Sequence, residues 1–129
     1  MSLMENFRDF SAGPDPFGRK WHAQFKYLQT GISIRHSDSV DVCWMLDNGD
    51  EKVKKTVVIQ NADLRAYAKR TGRPISDPWC ARLAMCKLTG AIETAEDLEK
   101  EYLPVTAHDI EEYDAQIKRW EDEWGKHAA

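Results

Sequence analysis

The stretch "DPWCARLAMCKLTG", residues 77–90, decides the fold of this chain, because it predicts a helix with almost no polar side. Asp77 is suited to cap such a helix, and Pro78 to its first position, where a missing N–H group costs nothing. Polar residues within it are few: Arg82, Lys87 and Thr89. A helix that is apolar almost all round is normally buried. We therefore predict that this segment is the central core helix and lies across a sheet.

Four segments between residues 20 and 60 have the pattern of β-strands. The segment "KWHAQFKYLQT" predicts one apolar face formed by alternate residues: Trp21, Ala23, Phe25 and Tyr27. The segments "ISIR" and "VDVCWMLD" follow, and a fourth strand ends in "TVVIQ". Their order and short connections predict an antiparallel meander.

A hairpin is predicted between the last two strands, because Asn48–Gly49 accepts the positive φ of a two-residue turn. That turn would place Trp44 opposite Val53 and leave one face of the hairpin mainly apolar. Lys55 would then fall on the apolar face opposite Val42. This lysine is a misfit that requires either a bulge or a side chain lying along the sheet edge.

The second half of the chain contains residues typical of the starts and ends of helices. Asn61 and Gly72 are suited to begin and end one helix. Two further starts resemble capping boxes, with Asp in place of the usual Glu: Thr94 with Asp97, and Thr106 with Asp109. Strands first and helices after favour the α+β class. We predict a four-stranded antiparallel β-meander over about residues 20–60, followed by three to four helices packed on one face.

A chain of 129 residues fits one domain. We predict an N-terminal arm over residues 1–19, docked through phenylalanines, and a single α+β domain over residues 20–129. The three cysteines are an odd number and indicate free thiols. With no run of about 18 apolar residues and no basic-then-apolar leader, the sequence predicts a cytoplasmic protein without a membrane partner.

Catalytic chemistry needs a convergent constellation of side chains, and none is visible in this sequence. Cys80 and Cys86 fall on different faces of a helix and match no zinc or redox spacing. Cys43 lies on the more polar sheet face and is the thiol expected to be accessible. The four histidines are scattered, and no phosphate-binding glycine pattern occurs. We therefore expect no catalytic residues, no metal and no cofactor, and favour a function other than catalysis.

Charge is distributed unevenly along the chain. Residues 61–90 hold six basic and two acidic side chains, whereas residues 91–129 hold twelve acidic and four basic ones. A basic ridge of Arg65, Lys69, Arg70 and Arg73 is suited to contact phosphates, which makes a nucleic-acid-associated protein the second interpretation. The alternative is that these bases pair with the acidic third of the same chain.

The leading prediction is a non-catalytic interaction or accessory protein that binds another protein, or a second copy of itself. Its surface would be the C-terminal helix or the exposed face of the sheet. The helix carries an aromatic stripe of the kind found in interfaces: Tyr113, Trp120 and Trp124. A third interpretation is a small-molecule-binding domain with a pocket between sheet and helices, near Trp21, Trp44 and Trp79.

Overall fold

The computed structural model of the protein describes residues 6–31, 38–96 and 98–128, with side chains as far as Glu123. The elements, in chain order, are β1 (Asp9–Ala12), β2 (Trp21–Gly31), β3 (Ser39–Asp47), β4 (Lys52–Gln60), α1 (Asn61–Thr71), α2 (Asp77–Thr94), β5 (Tyr102–Val105) and α3 (Ala107–Ala128). The strands form one sheet in the order β1-β2-β3-β4-β5. Neighbours are antiparallel except β4 and β5, which are parallel.

The α+β class is confirmed, but the predicted four-stranded antiparallel meander differs from the five-stranded mixed sheet. Two short edge strands were not predicted, β1 within the arm and β5 between α2 and α3. β5 can run parallel to β4 because α1 and α2 form the long crossover that a parallel pair needs. The predicted strand at residues 32–35 lies outside the described residues.

The hairpin between β3 and β4 forms, but with a longer loop than predicted. Asp47 pairs with Lys52, which leaves four residues in the loop instead of two. The Asn48 Oδ1 atom accepts hydrogen bonds from the backbone N–H groups of Asp50 and Glu51, each at 2.9 Å. These bonds supply the N–H groups of the longer loop with an acceptor. The register therefore shifts by two residues, and the inward face of each strand is unchanged because side chains alternate with period two.

Lys55 consequently lies opposite Trp44 rather than Val42. It is buried without a bulge in β4, and its ammonium group donates to the carbonyl oxygens of Leu98 and Lys100, the latter at 2.6 Å. Burial lowers the pKa of Lys55. Lys55, which did not fit the strand pattern, thus connects the sheet to the segment after α2 by hydrogen bonds.

Helix α2 is the central core helix that the opening stretch predicted. Its buried residues include Trp79, Cys80, Leu83 and Leu88, and they join one cluster with the inward residues of the sheet. Two details differ from the prediction. The cap is Ser76, whose hydroxyl accepts from the Trp79 N–H group, and the helix continues through Gly90 to Thr94. A Cβ atom at Gly90 would have no neighbour within 4 Å, so the glycine is not required by packing. The buried side of the helix continues beyond it to Ala91 and Ile92.

The other helices begin and end only partly at the predicted residues. Gly72, with φ of 79°, ends α1 as expected, but the cap position is Gln60, and the Asn61 amide instead donates to Asp38 at 2.7 Å. The capping box of Thr106 and Asp109 is confirmed by reciprocal bonds of 3.0 and 3.1 Å. Thr94 begins no helix because α2 runs through it, and Asp97 lies outside the described residues.

A buried carboxylate, Asp114, joins the three helices. Its oxygens accept from the Tyr67 hydroxyl at 2.5 Å and the Trp79 indole N–H at 2.8 Å, and Arg73 lies 3.0 Å away. Burial alone would raise the pKa of Asp114, but these two hydrogen bonds and the charge of Arg73 hold the pKa below its usual value. The carboxylate therefore stays ionised in the core with its hydrogen-bonding capacity used.

The N-terminal segment packs on the body through two of its three phenylalanines. Phe7 and Phe10 are buried, whereas Phe17 is 75% exposed. Arg82 of α2 lies between the Phe7 ring, at 5.6 Å, and the Trp120 ring of α3, at 4.8 Å. A cation between two aromatic faces is a favourable arrangement, and here it joins both ends of the chain to the core helix.

The loop between β1 and β2 is organised around Asp15, whose side chain is buried. One carboxylate oxygen accepts from the backbone N–H groups of Phe17 and Arg19, and the other accepts from the Arg19 guanidinium and the Trp21 indole, at 2.8 to 3.1 Å. Burial opposes ionisation, but the hydrogen bonds from Arg19, Trp21 and Phe17 outweigh it and lower the pKa of Asp15 to about 2. The carboxylate holds this loop in one conformation.

Replacing Asp114 with alanine should lower the free energy of unfolding by about 3–5 kcal/mol, because it leaves the Tyr67 hydroxyl and the Trp79 indole N–H in the core without an acceptor and removes one of the two carboxylates that pair with Arg73. Urea unfolding followed by tryptophan fluorescence measures the change. Asp122→Ala, on an exposed position of the same helix, is the matched control and should change stability by no more than about 0.5 kcal/mol. Equal effects of the two substitutions would contradict the role of Asp114.

Asp15 should contribute stability above about pH 4 and lose it as the pH falls toward 2. Above pH 4 the carboxylate is ionised in both the folded and the unfolded chain, but between the ordinary aspartate pKa of 3.8 and the folded value of about 2 only the unfolded chain gains the proton. The stability difference between the protein and Asp15→Asn should therefore shrink across that window in urea unfolding at several pH values. A pH-independent difference would show that the carboxylate charge is irrelevant.

Candidate protein-binding surfaces

The aromatic stripe predicted on the C-terminal helix packs largely inward. Ile110 and Ile117 of α3 are fully buried, and Tyr113 and Trp120 beside them are half-buried. Burial raises the pKa of Tyr113 far above its ordinary value, so its hydroxyl stays protonated. The side chain of Trp124 lies outside the described residues. Of the three residues predicted to bind a partner, the two that are described therefore present only part of their surface.

The basic ridge meets the acidic third of the chain at several points. Arg73 is only 16% exposed and bonds to Glu121 at 2.5 Å as well as to Asp114. Arg70 pairs with Glu111 at 2.6 Å, and Arg65 lies 3.4 Å from Asp38. Lys69 is exposed. Three of the four predicted phosphate contacts thus have carboxylate partners within the chain.

The tryptophans around which a small-molecule pocket was predicted are packed in the core. Trp21, Trp44 and Trp79 are each almost completely buried. Phe25 and Phe10 meet the Trp44 ring edge-on at about 6 Å, and Tyr67 stacks on the Trp79 ring at 6.0 Å. Three surface grooves have volumes of about 340, 330 and 240 Å³, and Trp44 and Trp79 line none of these three.

The face of the sheet that points away from the helices carries exposed tyrosines. One row of paired residues crosses four strands on this face: Tyr27, Cys43, Thr56 and Tyr102. Tyr102 is 59% and Tyr27 38% exposed. Val58 and Pro104 lie in the next row. We call this set of residues the open sheet face, and within the described part of the chain all three helices lie against the opposite face.

A one-residue bulge creates this arrangement in β2. The period-two pattern predicted Tyr27 on the same apolar face as Phe25. The pairing with β3 shifts between these two residues, so that Tyr27 lies opposite Cys43 on the open sheet face and Leu28 takes the inward position opposite Val42. A bulge has no clear signature in a single sequence. Tyr102 carries no such signal either, since β5 becomes a strand only by pairing with β4.

Among the described residues, no strand pairs with the outer edge of β2 beyond Phe25. β1 pairs only with Trp21–Gln24, although β2 continues to Gly31. The bulge and the exposed Lys26 lie at the start of this edge. Both features oppose the addition of another strand. The open sheet face is therefore the better candidate for binding than the edge.

Around the tyrosines the open sheet face is polar. Lys54 lies 5.8 Å from the centroid of the Tyr27 ring, and the Tyr27 side chain raises the pKa of Lys54. The exposed glutamines Gln24 and Gln29 lie on the same strand, before and after Tyr27. An apolar or aromatic centre with a polar surround is the usual composition of a protein interface.

The described residues include no cluster of three or more His, Cys, Asp or Glu side chains that could hold a metal ion. Nor does any helix among them have the length and apolar character needed to cross a bilayer. The cysteines are buried and unpaired, and burial raises the pKa values of Cys80 and Cys86 to about 12. Cys43, which the sequence predicted to be accessible, is only 1% exposed.

The three thiols should therefore react slowly with an aromatic disulfide reagent in the native protein and rapidly once the chain is unfolded, because all three are buried, and burial also disfavours the reactive thiolate of Cys80 and Cys86. Absorbance of the released thiolate gives the number of reactive groups. Rapid labelling of one thiol in the native state would show that the open sheet face admits the reagent to Cys43.

A scan against protein-family models and searches of curated proteins and of solved structures find no match to this chain. The assignment of a function therefore rests on the geometry of its own surfaces.

Proposed function

We propose that this protein is a non-catalytic interaction protein that binds another protein through the open sheet face. One observation carries the proposal: Tyr27 and Tyr102 are exposed at the two ends of one row across the sheet, on the face opposite the three described helices. Tyrosine offers a large contact area with little side-chain entropy to lose, and it is enriched at binding interfaces. Cys43 and Thr56 lie between the two tyrosines in this row.

The middle of that row suits a docking surface. Cys43 and Thr56 are small, uncharged and nearly inaccessible to solvent, so the row between the two tyrosines carries no charged side chain. Met45 and Val58 are half-buried beside them. A partner would cover an apolar strip between two aromatic anchors, with Lys54 and the exposed glutamines at its border.

The other predicted surfaces are weaker candidates for the same role. The described aromatic residues of α3, Tyr113 and Trp120, are already half-buried against the body. The basic ridge would have to break ion pairs with Asp114, Glu121 and Glu111 to contact phosphates. Removing charges from such partners costs free energy that a phosphate contact must first recover.

Photo-crosslinking inside the producing cell tests the proposal. p-Benzoylphenylalanine replaces Tyr102 in one variant and Tyr27 in another, and irradiation joins each to any protein in contact. The matched control places the same group at Ile75, an apolar residue 45% exposed in the segment between α1 and α2. Because an aromatic group replaces an exposed side chain in each case, all three variants should fold.

We expect the two sheet positions to give the same discrete adducts and the Ile75 position to lack them. Mass spectrometry identifies the adduct, and a product of twice the mass of this chain means that the partner is a second copy. Absence of adducts at both sheet positions, or the same adducts at Ile75, would overturn the proposal.

A further inference from the structure

We propose a second binding surface, separate from the open sheet face, that takes a peptide segment of another protein in which a large apolar side chain lies next to lysine or arginine. The surface is the groove between the β1–β2 loop and the segment after α2, about 330 Å³ in volume. We call it the Phe17 groove. Its apolar lining includes Phe17, Trp21, Val53 and Leu98, and its acidic lining is Glu51 and Glu99.

Phe17 lies on a loop whose backbone is fixed by hydrogen bonds. It is the most exposed of the large apolar side chains described, at 75%. Asp15 binds the backbone N–H groups of Phe17 and Arg19, and Gly18 donates to the Asp15 carbonyl at 2.9 Å. The loop is therefore ordered before any partner arrives. An aromatic anchor on an ordered loop binds with a smaller entropy loss than one on a flexible loop.

Apolar groups at the base of the groove complete a site for an apolar side chain. Val53 and Leu98 are half-buried and pack on the main core. The Arg19 guanidinium lies over both the Phe17 and the Trp21 ring, at 5.5 and 5.3 Å from their centroids. A partner side chain entering beside Phe17 would thus find an apolar floor that is already formed.

The charges of the groove select the partner. Arg19 bonds to Asp15 at 2.8 Å, and Lys55 donates to backbone carbonyl oxygens. Glu51 lies 3.6 Å from Arg19 but keeps half of its side chain in solvent, and Glu99 is exposed. With Asp15 counted beside Arg19, three carboxylates face two cations, so the groove has a net negative charge, and Glu99 is its most accessible charged group.

Charge complementarity then decides between occupants. A lysine or arginine beside the apolar anchor would meet Glu51 or Glu99, whereas a nucleic acid or an acidic peptide would be repelled. The groove lies at the end of the sheet where the β3–β4 loop projects, on the side covered by α2, so it shares no residue with the open sheet face. The two surfaces can be tested independently.

A phage-displayed library of random dodecapeptides, selected on the full-length protein and read by sequencing, tests this inference. Parallel selections use Phe17→Ala, Glu99→Lys and the matched control Tyr102→Ala, which alters only the open sheet face. Each variant is first checked by circular dichroism, and all three should fold because the replaced side chains are exposed.

We expect the protein and Tyr102→Ala to enrich peptides with a large apolar residue next to lysine or arginine. Phe17→Ala should weaken the dissociation constants of those peptides by about tenfold or more, as loss of an aromatic anchor does. Glu99→Lys should remove the preference for basic residues. No enrichment, enrichment of acidic or uncharged peptides, or unchanged binding to Phe17→Ala would overturn the inference, and none of these results bears on the open sheet face.

Discussion

The structure depends on one constraint, which is that helix α2 has to be covered on nearly every side. Its apolar residues occur around the whole helix, and burying one large apolar side chain contributes about 1.5–3 kcal/mol. The sheet covers one side, α3 packs along another, and β1 and the Phe7 segment close the remainder. The two edge strands, absent from the predicted meander, are part of this cover.

Polar groups on and around α2 are accommodated rather than excluded. The Trp79 indole donates to Asp114, and Arg82 lies between two aromatic rings. Asp114 in turn gathers Tyr67 from α1 and Arg73 from the segment after it. The basic stretch and the acidic last third of the chain are therefore partners in one buried network as well as at the surface. The uneven charge along the chain, which could indicate a nucleic-acid surface, thus includes Arg70 and Arg73, which pair with carboxylates of α3.

The two proposed surfaces arise from the same topology. Because all three helices lie on one face of the sheet, no part of the described chain packs as a helix on the other face, which carries Tyr27 and Tyr102. At one end of the covered face, the β1–β2 loop and the segment after α2 diverge around the buried Lys55, and the Phe17 groove lies between them. Both surfaces combine exposed aromatic side chains with a polar border.

The sequence by itself determined the class of the fold, the central helix, the β3–β4 hairpin, the end of α1 at Gly72 and the capping box at Thr106. These features depend on side-chain periodicity and on local backbone preferences, which neighbouring residues set. Only the tertiary structure decided the bulge after Phe25, the strands β1 and β5, and the register of the hairpin. The bulge and the two edge strands depend on pairing between separate segments of the chain, where a shift of one residue changes the face on which a side chain lies. The register of the hairpin depends on its four-residue loop, whose hydrogen bonds to Asn48 are seen only in the folded structure. The side of the sheet on which Tyr27 lies was therefore beyond the reach of the sequence pattern, and the open sheet face that contains it could be found only from the folded molecule.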